Sequence, residues 1–208
     1  MKYIIMCGGD YSCWWKTPRH LLEFQGEPLV ARTIRLLREV GVDDIAISAT
    51  DKCFEGFGVP VVSHNNSFNA EVGGHWCEAF YPMDEPAAYL MGDVVFSPEA
   101  IKTIVSTKVK SVMFFASAPP FNKKYIKSHA EPFGFKVIDQ KRFRAAIDFV
   151  IANENTGIFL RRPISWELWQ VLNGDCVRTI NFNNYEIIND YTCDVDKLED
   201  IARLEKLF

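Results

Sequence analysis

The opening stretch of the chain constrains its fold more than any other. Lys2 to Met6 (KYIIM) is a short, uninterrupted apolar run, the pattern of a strand buried on both faces of a sheet. It passes directly into Gly8-Gly9-Asp10 and then into a polar and aromatic loop that ends at Pro18. A strand that meets glycines at once is how many α/β proteins hold a phosphate. Without Cβ atoms the backbone approaches the phosphate oxygens closely, and its N–H groups point at them. A lone Gly-Gly pair would be read first as an ordinary β-turn, so the weight falls on what comes after it.

What comes after it alternates helix and strand. Pro28 suits the first position of a helix, and Leu29, Thr33, Leu36 and Val40 recur at helical spacing. Val30, Ile34 and Leu37 widen that apolar stripe, and Gly41 ends it. Asp44 to Ala49 reads as a second strand and Val59 to Val62 as a shorter third. Strand, helix and strand on short connections imply parallel pairing and right-handed crossovers. Ala87 to Met91 is a further buried strand, and it ends in Gly92-Asp93. Ser97-Pro98-Glu99 caps a helix that runs to about Val105, Ser111 to Ser117 forms a strand, and Pro119-Pro120 breaks it. A helix over Asp139 to Ala152 follows, with Phe143, Ala146, Ile147 and Val150 on one face. Ser165 is expected to cap a helix through Leu172, and a last helix runs to Leu207.

The pattern predicts an α/β protein, a three-layer α/β/α sandwich with a mostly parallel, Rossmann-like sheet. At 208 residues, with no repeat and no Pro/Gly/Ser-rich linker, residues 1–208 are expected to form one domain. Hydrophobic residues are 48% and charged residues 24%, so a substantial core is affordable. A net charge of −4 gives no electrostatic footprint for nucleic acid or an anionic membrane. No apolar run reaches membrane-spanning length, and the opening residues lack a secretory leader's pattern. The six cysteines have no C-x-x-C pairing, which reads as reduced thiols in a cytoplasmic protein.

Thr17-Pro18-Arg19-His20-Leu21-Leu22 and Gly26-Glu27-Pro28-Leu29, taken with the glycine loop, resemble the N-terminal signature of the nucleotidyltransferases with a GT-A-like fold. These include the molybdenum-cofactor guanylyltransferases, the sugar-phosphate nucleotidylyltransferases and the phosphocholine cytidylyltransferases. Their loop usually reads Gly-x-Gly-x-Arg, where this chain has Gly9-Asp10-Tyr11-Ser12-Cys13, and their Pro-Lys is Pro18-Arg19 here. The resemblance implies the nucleotide-diphospho-sugar transferase fold and transfer of NMP from an NTP to a phosphorylated small molecule, releasing pyrophosphate. CTP is favoured, because the small layout and the Asp194-Val195-Asp196 ending look most like the phosphocholine and related cytidylyltransferases. The product would feed a surface or capsule polysaccharide.

The resemblance also assigns roles. Asp93, just beyond a strand's carboxyl end where α/β sheets bind ligands, is expected to hold Mg²⁺. Asp196 is the second metal ligand, with Asp194, two positions earlier, the alternative if the register slips. Asp196 as a plain helix cap is the bland reading. Gly8, Gly9 and Asp10 would bind the triphosphate, and Lys16 or Arg19 would offset charge on the leaving pyrophosphate. Asn65, Asn66 and Gly73 suit base and ribose recognition, although the asparagines suit turns equally. Lys136, Arg162 (or its neighbour Arg161) and Trp166 are the candidate walls of the acceptor pocket, although the tryptophan is read first as part of an aromatic packing unit. Two other classes fit parts of the pattern. A GT-A glycosyltransferase normally has Asp-x-Asp where this chain reads Gly92-Asp93-Val94-Val95. A catalytically degenerate nucleotide-binding relative would account for the altered loop. The Trp14-Trp15 loop suits a ligand or a second subunit of a homo-oligomer.

Overall fold

The computed structural model describes residues 1–8, 17–63, 77, 79–81, 84–118, 130–179, 181–196 and 198–207. In chain order the elements begin with β1 (Lys2–Met6), a 3₁₀ turn (Arg19–Leu21), β2 (Glu23–Phe24), β3 (Glu27–Pro28) and α1 (Leu29–Glu39). Then come β4 (Ile45–Ser48), a second 3₁₀ turn (Lys52–Phe54), β5 (Val61–Val62), β6 (Ala87–Met91), β7 (Val94–Val95) and α2 (Pro98–Ser106). The chain closes with β8 (Val112–Ser117), β9 (Pro132–Val137), α3 (Gln140–Asn153), α4 (Ser165–Asn173), β10 (Glu186–Ile188), β11 (Cys193–Asp194) and α5 (Leu198–Leu204).

Among the described residues the main sheet has seven strands in the order β10-β8-β9-β6-β1-β4-β5. β1 lies near its centre, paired in parallel with β4 on one side and β6 on the other, with Ile4 opposite both Ala46 and Tyr89. β4 pairs with β5 and β8 with β10 in parallel, and β9 alone runs antiparallel to its neighbours. Alternation along β1 builds the two outer layers. Tyr3, Ile5 and Cys7 face one core with Val30, Ile34 and Leu37 of α1 and Ala100, Ile101 and Ile104 of α2. Ile4 and Met6 face the other, with Phe143, Ile147 and Val150 of α3 and Trp166, Leu168 and Trp169 of α4. This is the expected three-layer α/β/α arrangement with a mostly parallel sheet.

The helix starts follow the sequence except in two places; in the first, α1 begins at Leu29 and Pro28, the expected first helical residue, takes the cap position ahead of it. Ser97 Oγ accepts from Ala100 N, with Pro98 behind it, and Asp139 accepts from Arg142 N. At α4 the expectation fails: Ser165 is the first helical residue and Ile164 takes the cap position. The Ile164 N–H donates to Glu167 Oε2 at 2.9 Å, so the buried glutamate caps the end from inside the helix. The final helix also stops three residues short of Leu207, at Leu204. Cys7, Cys53, Cys77, Cys176 and Cys193 are thiols. No helix among the described residues is long and apolar enough to cross a membrane.

Candidate functional site at the carboxyl end of the sheet

Glycine decides how tightly this end of the sheet is built. After β6 the chain turns at Gly92, whose N–H donates to Met6 O at 3.0 Å. A Cβ at Gly92 would lie 2.5 Å from Met6 O, 2.8 Å from His20 Cδ2 and 2.9 Å from Cys7 Sγ. No side chain fits there, so the segment carrying Asp93 lies flush against both the end of β1 and the 3₁₀ turn. That turn is entered through Pro18 and closed by Leu21 N→Pro18 O and Leu22 N→Arg19 O bonds of 2.9 and 3.0 Å. Its middle residue, His20, is buried and packs edge-on against Phe54, with ring centroids 5.7 Å apart. Burial lowers the His20 pKa to about 4, outweighing the favourable Asp93 carboxylate, and the nearby Arg19 adds to the lowering. His20 is therefore a neutral anchor at pH 7. With His20 turned inward, its neighbour Arg19 is free to reach outward.

The second acid arrives by a separate ladder. β7 pairs antiparallel with β11, setting Asp194 opposite Val94, and Val195 N donates to Asp93 O at 2.9 Å. Cys193 and Val195 bury themselves in a small third core with Phe24, Leu29, Ile201 and Leu204. Strand alternation then turns Asp194 and Asp196 to the opposite side. The segment before them is tied to the start of α2. Ser97 Oγ donates to Asp190 Oδ2, Ser97 N donates to Thr192 Oγ1 at 3.0 Å, and Thr192 N donates to Asp190 Oδ1 at 2.7 Å.

These two constructions meet at Arg19. Its Nη2 lies 3.3 Å from Asp93 Oδ2 and its Nη1 3.1 Å from Asp196 Oδ1, and Nη1 also donates to Val195 O at 3.3 Å. Residues separated by more than a hundred positions thus share one guanidinium. The Asp196 side chain meets Arg19, and its backbone N–H donates to Asp200 Oδ2 at 3.1 Å. Asp194 Oδ1 accepts from Cys193 Sγ at 3.7 Å. Gly8 is half-buried at the end of β1, beside Cys7, whose thiol burial and Asp93 together raise well above the ordinary cysteine range.

Among the described residues no group of three or more His, Cys, Asp or Glu side chains could hold a metal ion. The donor set nonetheless suits Mg²⁺, which typically takes one or two protein carboxylates and completes its octahedron with phosphate oxygens and water. Asp93 and Asp196 both lie against one cation, the Arg19 guanidinium.

The remaining sequence candidates divide. Lys16, Gly9, Asp10, Asn65, Asn66 and Gly73, with Trp14 and Trp15, lie outside the described residues. Lys136 is not brought to the site. It pairs with Ala88 at the start of β6, and its buried ammonium donates to Ile104 O, Val105 O and Thr107 O at 3.1, 2.9 and 2.8 Å. All three donors cap the carboxyl end of α2, and none is left for an acceptor. Trp166 is 1% exposed, donates Nε1–H to Ala130 O at 3.1 Å and packs against Phe114, Phe182 and Tyr185. It is a core residue and not a pocket wall. Arg162 is exposed, while its neighbour Arg161 pairs with the buried Glu167 at 2.7 Å. What the sequence reading missed is the Ser97–Asp190–Thr192 clasp. The only signal for it was an acid two positions before a threonine, the Asp190-Tyr191-Thr192 stretch ahead of Asp196.

Residues 3–133 match the model of the MobA-like NTP transferase domain. Among curated proteins no sequence match is found. Solved structures of the same fold include the CTP:phosphocholine cytidylyltransferase of Streptococcus pneumoniae, 14% identical, with a TM-score of 0.55 over 99% of this chain and 97% of that one. The inositol-1-phosphate CTP transferase of T. maritima is 15% identical, with a TM-score of 0.57 over 99% of this chain and 95% of its own. HddC of Yersinia pseudotuberculosis, in a structure complexed with GMP-PN, is 14% identical, with a TM-score of 0.53 over 100% and 99%.

Proposed function

The chain belongs to the MobA-like NTP transferase family, and on that premise we propose that it transfers a nucleoside monophosphate from CTP to a phosphorylated small molecule, releasing pyrophosphate. The observation that carries this reading is the meeting of Asp93 and Asp196 on Arg19 at the carboxyl end of β6. In the reaction a phosphate oxygen of the acceptor attacks the α-phosphorus, a new P–O bond forms, and the bond to the bridging oxygen breaks. The electron pair leaves with pyrophosphate. The attacking oxygen is already anionic, so the protein needs no nucleophile and no strong base; it must position two anions and offset their charge.

Mg²⁺ held by Asp93 and Asp196 would supply the Lewis-acid neutralisation that brings the two anions together. Gly8 and the loop after it are assigned to the triphosphate, and Arg19, with Lys16, to the charge on the leaving group. CTP is favoured on the Asp194-Val195-Asp196 ending, and two of the structures of like fold are cytidylyl enzymes by name. The acceptor is read as a phosphorylated metabolite bound for a surface polysaccharide, and the working compartment as the cytoplasm. Glycosyl transfer is disfavoured, because the positions after Asp93 are Val94 and Val95, both buried in β7. The test is pyrophosphate release with each of the four NTPs and Mg²⁺ against a panel of phosphorylated acceptors. Release that requires one NTP and one acceptor supports the reading and names both substrates. Nucleotide-sugar hydrolysis without NTP consumption would replace it.

A further inference from the structure

We propose that Arg19 is an internal counter-cation that closes the acid pair to free divalent metal, so that metal enters only together with a nucleotide. The proposal rests on the role given above to Asp93 and Asp196, and it concerns how that site is loaded. Three features carry it. First, the guanidinium bridges: separate nitrogens reach an acid that follows β6 and an acid that follows β11, at 3.3 and 3.1 Å, and Val195 O takes a third contact. A lysine ammonium is a point charge and spans two carboxylates poorly, whereas the planar fork of arginine suits the task. Second, the backbone behind it is fixed by Pro18 on one side and by buried His20 on the other, packed into the space that Gly92 leaves open. The side chain itself is 35% exposed, which leaves it room to turn about that root once its carboxylate partners are exchanged. Third, the two cations exclude one another. A Mg²⁺–oxygen bond is about 2.0–2.1 Å long, and its ion takes the carboxylate oxygens that Arg19 now holds.

Free metal must therefore displace a cation from a pair of acids and then sit beside it. A nucleotide changes the exchange. Its phosphates offer the displaced guanidinium a bidentate partner at least as good as the carboxylates, while supplying the metal's remaining ligands. Nucleotide and metal then bind with positive coupling, and the coupling is reciprocal. It also gives the Lys-to-Arg departure at this position a use. Before binding the arginine occupies the acids, and afterwards it is already beside the phosphates it neutralises.

The experiment measures Mn²⁺ binding to the full chain by equilibrium dialysis and by electron paramagnetic resonance of free Mn²⁺, without nucleotide and with α,β-methylene-CTP. The variants are Arg19→Gln, Arg19→Lys and Arg19→Gln/Asp93→Asn, each checked for folding by thermal melting. Without nucleotide, Arg19→Gln should bind Mn²⁺ about tenfold or more tightly than the wild type. Arg19→Lys should fall between them, and the double variant should return to weak binding. The nucleotide should raise Mn²⁺ affinity more in the wild type than in Arg19→Gln. Equal Mn²⁺ affinity in wild type and Arg19→Gln without nucleotide would overturn the proposal while leaving the acid pair's role intact, provided the nucleotide still recruits Mn²⁺. Folded protein that takes up no Mn²⁺ in any form, nucleotide present or absent, would overturn both.

Discussion

Gly92→Ala adds a single methyl group at the point where three segments meet, and its consequences follow from the geometry. The new carbon would fall 2.5 Å from Met6 O, a backbone atom of the strand near the centre of the sheet, and under 3 Å from His20 and Cys7. Neither the strand nor the buried imidazole is a flexible side-chain end that yields cheaply. Overpacking of a filled core costs about 1–3 kcal/mol, and a backbone obstacle places this case near the top of that range. For a chain of this size about 3 kcal/mol lowers the melting temperature by roughly 6–12 °C. The displaced parts are Asp93 and the turn that carries Arg19, and a shift of about 1 Å at reacting groups costs on the order of a hundredfold in rate. Thermal melting and single-turnover nucleotidyl transfer at 25 °C would be measured together. Lys136→Met serves as the stability-matched control. It removes three charge-assisted bonds at the carboxyl end of α2, which costs about 2–3 kcal/mol, and leaves the site untouched. Gly92→Ala with wild-type melting and full turnover would refute the reasoning. So would a loss of activity no larger than that of Lys136→Met at equal stability.

Three more outcomes are expected. The folded pKa of His20, about 4, lies below the ordinary 6.5, so between these values the unfolded chain binds the extra proton. Its contribution to stability is therefore complete above pH 6.5 and is lost as pH falls to 4, by about 3 kcal/mol, and His20→Gln should flatten that part of a urea-denaturation profile against pH. Asp196→Asn should lower kcat by about a hundredfold or more while Asp194→Asn loses less than tenfold, because Arg19 ties Asp196 and not its neighbour to Asp93; steady-state kinetics with the reverse ranking would move the metal role to Asp194. Trp166→Ala should cost about 3–5 kcal/mol of stability and leave the acceptor KM unchanged at temperatures where the variant is folded; a raised KM on an undiminished melting temperature would restore it to the acceptor pocket.

The sheet was legible because its strands are bounded by strong local signals. Ala87–Met91 was read to the residue, and Ser97-Pro98 and Asp139 mark helix starts through side-chain bonds that the residue types themselves supply. Asp93 and Asp196 were found as separate strand-end acids, but nothing local says that they meet. That depends on the β7·β11 ladder, two residues long on each side and below the length at which alternation can be seen. Lys136 was misplaced, and a pocket role for Trp166 stayed open beside the packing role it has, for a related reason. A lysine in a strand has the same sequence signature whether it caps a helix across the layer or neutralises a substrate, and a buried tryptophan resembles a stacking one. The cap at α4 escaped because Glu167 supplies it from within the helix, whereas sequence reading looks for it in front.

The central claim, that this site moves a nucleoside monophosphate onto a phosphorylated acceptor, is tested most directly by following the label. CTP labelled at the α-phosphorus and, separately, at the γ-phosphorus would be incubated with Mg²⁺, the acceptor panel and either wild type or Asp93→Asn. The account predicts that the wild type carries the α-label into a new acceptor-linked product and the γ-label into pyrophosphate. Asp93→Asn should do neither at more than about a hundredth of the rate. An α-label that stays with free CMP or CTP under every acceptor, or transfer at full rate in Asp93→Asn, would contradict it.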